Sequence, residues 1–446
     1  TTGAWGGLHG LRLSFRLDGL SMTFALAIAG IGAFILVYSG QYLAGHAHRG
    51  RFLSFMLIFM GAMQGLVLSD NLVALYVFWE LTSVASFLLI GFDASRMAAR
   101  RAAIQALVIT TIGGLALLAG SILIERIAGT WEIGEIANLT GHAAYPVVLG
   151  LVLVAAFTKS AQFPFQVWLP NAMEAPTPVS AFLHSATMVQ AGVYLLARFL
   201  PTLGGTPLWT GLLVSFGAVT LLWGAVSALK QTDLKQMLAQ TTVASLGLLV
   251  LLLGVGTELA VTAAMLYFVA HALYKAALFL VAGAIDHETG TRDITALGGL
   301  RDTMTVTFIA AILAAVSMIG LPPLLGYFAK EEMYAALPGG GWEAVVLAAL
   351  VVGNALLCAV ALTVMIRPFM GNLVPTPKKP HEAPLAMLAG PLLFGALAVL
   401  AGFMPEWLGG NVVMPAVSAV TGHAMEHQLA LKLDPRSLLF WLSVIT

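Results

Sequence analysis

Residues 151–190 read LVLVAAFTKSAQFPFQVWLPNAMEAPTPVSAFLHSATMVQ. The stretch begins as a helix fit for lipid, meets Lys159, runs through Pro164, Pro170, Pro176 and Pro178, and resumes an apolar pattern around His184. Proline removes a backbone donor and clashes with the preceding turn, so a helix passing here is interrupted. At membrane depth, non-helical backbone is tolerated only inside protein or beside a wet cavity. Two other charges share this setting: Glu80 in LYVFWELTSVASFLLIGF and Lys275 in YFVAHALYKAALFLVAG. A charged side chain at the centre of a spanning helix costs roughly 2.5 to 3.5 kcal/mol on the insertion scale, so such groups need partners and mark function.

Outward from this stretch the chain has the same character. It is 59% hydrophobic and 9% charged, with a mean hydropathy of +0.92, against a charged fraction near 25% in soluble domains. It is read as a polytopic, all-α membrane protein lying in a lipid bilayer. With 21 basic and 21 acidic residues, no nucleic-acid footprint is present. Cys358, the single cysteine, reads as a small core hydrophobe.

Apolar stretches of bilayer length predict about twelve spans. They are Leu20 to Tyr42, Phe52 to Leu68, Leu72 to Phe92, Ala103 to Glu125, Val147 to Gln162, Pro178 to Leu200, Leu208 to Ala228, Leu234 to Leu253, Val261 to Ala284, Val306 to Phe328, Val345 to Phe369 and Leu385 to Phe403. Residues 1–19 precede the first span, 20–405 form the transmembrane core, and 406–446 are expected to be an extracytoplasmic linker and the start of a further helix. The chain opens at Thr1 without a signal-peptide pattern and closes on the short apolar run SLLFWLSVIT, so a piece of a longer polypeptide is expected. Loop charges are asymmetric. Arg49, Arg51, Arg96, Arg100 and Arg101 gather on one face, which the positive-inside rule makes cytoplasmic.

A second interruption is expected in MIGLPPLLGYFAKEEMY, at Pro322 and Pro323 ahead of Lys330. If spans two to six form one unit and seven to eleven another, the broken helix is fourth in each. Five is odd, so the units run in opposite directions, as in transporters built from inverted repeats.

Several buried groups suit proton movement. Glu80 and Lys159 are read as a separable pair, with a static ion pair as the alternative. His184, and His271 with Lys275 on one helical face, are relay candidates, since histidine titrates near neutrality. Lys330 is a further link if the helix resumes after the second break, and a solvated charge if it does not. Lys230, Asp233 and Lys235 read as a cytoplasmic loop. Glu125, Glu132 and Glu135 on the outer side attract cations or are merely solvated. His423 and His427 have metal-compatible spacing but lack the supporting ligands of a zinc motif, so no metal site is expected. Neither are a phosphate-binding loop, a cofactor site or covalent catalysis.

At FWELTSVASFLLIGF, FTKSAQFPFQVWLPNAMEAPTPVSAFLHSATMV, QTDLKQMLAQTTVASLG, HALYKAALFLVAGAI and GLPPLLGYFAKEEMY, the chain resembles the antiporter-like subunits shared by Mrp-type Na+/H+ antiporters and respiratory complex I. LPNAMEAPTPVSAFLHSATMV and IDHETGTRDITALGGL most resemble the Mrp A-type branch. The resemblance implies two inverted five-helix repeats, a switching pair at Glu80 and Lys159, and a hydrated axis through His184, His271, Lys275 and Lys330. It also implies other Mrp subunits as partners in a bacterial cell membrane, with protons and Na+ as the transported ions. One position departs: where the family commonly has lysine, six residues after His184, this chain has Gln190. The rival readings are a redox-driven proton-pumping subunit of complex I or a membrane-bound hydrogenase, and a structural subunit with static charge pairs.

Overall fold

The computed structural model describes residues 2–4, 12–337, 340–425, 429 and 436–446. His427 lies outside the described residues. Two short strands, β1 (Thr2–Ala4) and β2 (Arg12–Ser14), pair antiparallel ahead of the first helix, with Thr2 opposite Ser14. The other secondary-structure elements among the described residues are helices.

The first four helices are α1 (Gly19–Tyr42), α2 (Arg49–Leu68), α3 (Leu72–Ile90) and α4 (Met97–Ala128), each packed on its predecessor. Polar caps start α1 and α3: Asp18 accepts from the Ser21 amide, and Asn71 Oδ1 accepts from the amides of Val73 and Ala74, at 2.9 and 3.3 Å, satisfying donors left open in the first turn. Their outer faces carry exposed Leu57, Val77, Ile104, Val108 and Ile112, as expected of helices whose solvent is lipid.

α5 (Tyr145–Lys159) is 15 residues long, about 22 Å at 1.5 Å per residue, too short for a hydrocarbon core of about 30 Å. It stops at Lys159, in agreement with the expected interruption. The backbone turns at Ala161, whose φ of 47° lies in the left-handed region that a Cβ disfavours. The chain then passes through α6 (Trp168–Asn171) to α7 (Thr177–Ser185) and α8 (Ala191–Leu203).

The span read at Pro178 to Leu200 is present as Thr177–Leu203, but the structure breaks its helix, which the sequence reading did not expect. α7 ends at Ser185, Thr187 adopts φ −118° and ψ −112°, and a 3-10 turn over Met188–Gln190 leads into α8. Side chains compete for the helix carbonyls: Thr187 Oγ1 donates to Phe182 O, and Ser185 O is met by the Gln190 amide and the His271 ring. Gln190 is therefore not displaced from His184 along a straight helix.

The second half begins with α9 (Pro207–Leu229), α10 (Leu234–Val255) and α11 (Glu258–Thr289). α12 (Thr305–Ile319) again has 15 residues and ends at Gly320, whose φ of 77° permits the sharp exit. The helix resumes as α13 (Leu325–Ala335), which contains Lys330. α14 (Trp342–Ile366) and α15 (Leu385–Phe403) follow. Among the described residues of the segment read as a linker and the start of a further helix lie α16 (Pro405–Leu408), a π turn over Gly409–Val413, α17 (Met414–Thr421), which packs on α1 and α11, and α18 (Leu438–Ile445). Among the described residues, ten segments are long and apolar enough to cross a membrane, and α5 and α12 are shorter apolar helices.

α7, α8, α10 and α11 are almost entirely enclosed by the other helices. A buried ion pair ties this centre to the first helix. Arg198 of α8 donates to both carboxylate oxygens of Asp18, the N-cap of α1, at 2.5 and 3.0 Å, and to the Tyr194 hydroxyl at 3.2 Å. Burial alone raises the Asp18 carboxyl, but hydrogen bonding to Arg198 and its charge outweigh this and bring the carboxyl down to about 2. A depressed carboxyl stabilises the fold above its unfolded value of about 4 and loses that contribution as pH falls towards about 2. Arg198→Ala is expected to cost about 2 kcal/mol at pH 7, because Asp18 loses its charged hydrogen-bond partner and keeps only the more exposed cation Arg16, 3.0 Å away, and to flatten the acid limb of stability over that window. Thermal unfolding of both proteins from pH 7 to 2 measures it, and identical acid limbs would refute this role.

Candidate functional site

The candidate lysines of α5, α11 and α13 have no carboxylate at ion-pair distance among the described residues. Lys159, fully buried at the end of α5, donates to Trp79 O at 3.1 Å and Ser83 Oγ at 2.8 Å, both on α3. Lys275 of α11 donates to Leu238 O at 3.3 Å and to the Thr241 hydroxyl, both on α10. Lys330 of α13 donates to Ile319 O at 2.6 Å, the last residue of α12, and reaches the Thr446 hydroxyl at 3.4 Å. In each case neutral oxygens hold the nitrogen. A hydroxyl both donates and accepts, so the same cradle satisfies an ammonium or a neutral amine.

Glu80 stands apart. It is one residue beyond Trp79 on α3 but half-buried, facing α4, where its carboxylate lies beside Thr111 and fills the space a side chain on Gly114 would take. Glu80 Oε1 has no hydrogen-bond partner. Glu80 and Lys159 interact through space but form no ion pair.

The break between α7 and α8 makes a direct link between candidates. Gln190 Nε2 lies 3.1 Å from His271 Nδ1, and the same ring nitrogen lies 3.2 Å from Ser185 O. Facing the amide donor, Nδ1 accepts; facing the carbonyl, it donates. The two roles need opposite tautomers, so the ring has a partner in either state. His184, also buried, is one residue before Ser185 and stacks near Phe279 with ring centroids 5.8 Å apart. Along this path Ser180 Oγ, His184 Nδ1, Ser185 Oγ, Gln190 Oε1 and His271 Nε2 have no protein partner.

Sequence reasoning missed Lys235. It lies in the first turn of α10 rather than in a loop, is 1% exposed, and donates to Met173 O and Ala175 O at 2.8 and 2.6 Å. The available signal was Asp233: as N-cap its side chain accepts from Gln236 N at 3.0 Å and starts the helix one residue later. A lysine in a first turn opposes the helix dipole, which marks it as serving something other than the helix. Lys235 borders an open cavity of about 590 Å3 on the basic face, together with Arg51, Arg96, Thr177, Asp286 and Arg292. Thr177 opens α7, and Ser180 and His184 follow on one helical face inward from it.

Of the outer acidic residues, Glu132 accepts from the hydroxyl of Ser14 and from Asn71 Nδ2 at 3.1 Å, closing the first strand segment onto α3. His423 contacts Glu258 at 2.8 Å. Among the described residues no three His, Cys, Asp or Glu side chains gather to hold a metal ion.

Comparison with known proteins agrees with this architecture. The family model for the NADH:quinone oxidoreductase/Mrp antiporter transmembrane region matches residues 69–357, and that for the complex I chain 5 N-terminus matches residues 6–53. The A subunit of the Na(+)/H(+) antiporter of Alkalihalophilus pseudofirmus is 44% identical over 92% of this chain and 55% of its own length. The A1 subunit of the Staphylococcus haemolyticus antiporter is 42% identical over 93% of this chain and 55% of its own. A chain in the structure of the Mrp complex from Dietzia sp. superposes with a TM-score of 0.90 at 37% identity, covering 100% of this chain and 49% of that one. The chain thus spans about half the length of the relatives it matches. With a family model covering most of its helices, including both interrupted ones, the chain belongs to the NADH:quinone oxidoreductase/Mrp antiporter transmembrane family.

Proposed function

We propose that this chain is the antiporter-like part of the A subunit of an Mrp-type Na+/H+ antiporter, working with other Mrp subunits in a bacterial plasma membrane. It carries protons inward along buried Glu, Lys and His residues, and the assembly couples this flow to Na+ export. The observation that carries the reading is the row of buried lysines cradled by neutral oxygens, with the Gln190–His271 contact between them. Such cradles accept either protonation state, and a fixed ion pair would not. The broken helices α5 and α12, each fourth in a set of five spans, support the inverted-repeat arrangement.

In this reading the path runs from the cavity at Lys235 through Thr177, Ser180 and His184 to Gln190 and His271, then to Lys275 and Lys330. Buried polar atoms without protein partners are normally satisfied by water, which supplies the intervening links. Glu80 and Lys159 form the lateral switch: the carboxylate attracts the ammonium in one state and releases it in the other. The membrane potential contributes roughly 2.3 kcal/mol per charge per 100 mV.

The test is cation-dependent proton flux in vesicles holding the assembled complex, with no electron donor present. Flux that requires a reductant would instead establish a redox-driven pump. Gln190 is decisive within the path. Gln190→Leu removes the amide donor to His271 Nδ1 and is expected to lower flux at least about tenfold, equivalent to about 1.4 kcal/mol. Gln190→Lys, which installs the residue that the family resemblance leads us to expect there, is expected to be tolerated. Parent-level flux in Gln190→Leu would show that protons bypass α7 and α8.

A further inference from the structure

α11 places Tyr267, His271 and Tyr274 at spacings of four and three, so the three rings share one helical face. The His271 ring lies 6.2 Å from Tyr267 and 5.5 Å from Tyr274, centroid to centroid. Both tyrosines are buried. The Tyr274 hydroxyl donates to the Tyr267 hydroxyl at 3.1 Å, and the Tyr267 hydroxyl is 2.9 Å from Ser245 Oγ on α10. Ser245 Oγ also donates to Thr241 O at 2.9 Å, and the Thr241 hydroxyl receives the Lys275 ammonium. The tyrosine pair and Lys275 thus sit on the same short piece of α10.

The other end reaches the second interrupted helix. α13, which carries Lys330 and Tyr334, packs along α11. The Tyr334 hydroxyl accepts from Asn354 Nδ2 at 2.9 Å and lies 2.9 Å from the Thr446 hydroxyl, which Lys330, one turn earlier on α13, also reaches at 3.4 Å. Phenylalanine would fill these positions against apolar neighbours. A tyrosine there adds a hydroxyl that must find a partner: Tyr274 and Tyr267 bond each other and Ser245, and Tyr334 bonds Asn354 and Thr446.

We infer that Tyr267, Tyr274 and Ser245 form a hydroxyl bridge that passes the proton between Lys275 and Lys330, crossing from α11 to α13 at Tyr334. The inference rests on the proton-conducting reading of the axis and adds residues to it. Each hydroxyl takes a proton on an oxygen lone pair from one side as its own O–H bond breaks towards the other, and rotation restores it. No group is oxidised or reduced and none keeps a net charge. Water spans the steps longer than a direct hydrogen bond, from Thr241 Oγ1 to Ser245 Oγ and from Tyr267 to Tyr334.

The experiment measures cation-dependent proton flux and complex assembly in vesicles for Tyr267→Phe, Tyr274→Phe, Ser245→Ala and Ser245→Thr, beside Lys275→Ala. Tyr267→Phe and Ser245→Ala are expected to lower flux at least about tenfold, a barrier rise of about 1.4 kcal/mol, in fully assembled complexes. Ser245→Thr, which keeps a hydroxyl, is expected to restore it. Parent-level flux in Tyr267→Phe and Ser245→Ala, with Lys275→Ala inactive, would overturn the bridge and leave the axis standing. Parent-level flux in Lys275→Ala would overturn the axis itself. Loss of assembly in all three hydroxyl-deletion variants would also overturn the bridge, assigning those hydroxyls to packing.

Discussion

Lys275→Ala lowers cation-dependent proton flux about a hundredfold, the lower end of what removing one positioned proton-transfer group costs, while the complex assembles. Its ammonium is the donor on α11 to Leu238 O and the Thr241 hydroxyl of α10, and it forms no ion pair whose loss would strand a buried carboxylate. Deleting it therefore leaves two helix-bound oxygens that already have intrahelical roles: the Thr241 hydroxyl still donates to Leu238 O at 2.9 Å. That is why transport suffers before folding does. His271→Gln, one turn earlier on the same face, removes the ring whose Nδ1 meets both the Gln190 amide and Ser185 O and is expected to change the pH profile of flux. Flux through reconstituted variants measured between about pH 5 and 8 checks both. Unchanged rates and an unchanged profile would return the two residues to a structural role.

The second large effect is expected at Glu80 and Lys159. Glu80→Ala and Lys159→Ala each reduce flux about a hundredfold or more, with assembly preserved. A static ion pair would predict the reverse order, since breaking a buried pair costs about 3–5 kcal/mol and the fold would fail first. The geometry already argues against static pairing. Lys159 is held by Trp79 O and Ser83 Oγ, while the Glu80 carboxylate turns towards Thr111 and Gly114 on α4 with Oε1 unpartnered. Glu80→Gln keeps the shape and removes the charge that attracts Lys159, so it is expected to be as inactive as Glu80→Ala. Full transport by assembled Glu80→Ala would end the switch.

Much of this was legible in the residues themselves. Predominantly apolar stretches of bilayer length must leave water, so spans such as Leu72 to Phe92 could be read directly, and their helices match to within a few residues. The interruptions after Lys159 and at Pro322 were legible because proline's missing donor acts locally. Charges inside apolar runs named Glu80, Lys159, Lys275 and Lys330 for the same reason: their cost in lipid does not depend on the fold. The break at Ser185 was not legible. It contains no proline or glycine, and it depends on Thr187 turning back to Phe182 O and on a histidine from a helix more than eighty residues away reaching Ser185 O.

What the sequence determined by itself was therefore medium and breakpoints: a membrane-spanning all-α chain, two interrupted helices, and a short set of charges too costly to be incidental. What only the tertiary structure decided was the partner of each charge. Lys159 meets a carbonyl and a hydroxyl of α3 instead of Glu80, Gln190 meets His271, and Lys235 leaves its expected loop for the carbonyls of Met173 and Ala175. The physical reason is that transfer into lipid is a sum over residues, each counted alone. A hydrogen bond needs two groups within about 3 Å, and which groups meet is set by how the helices pack.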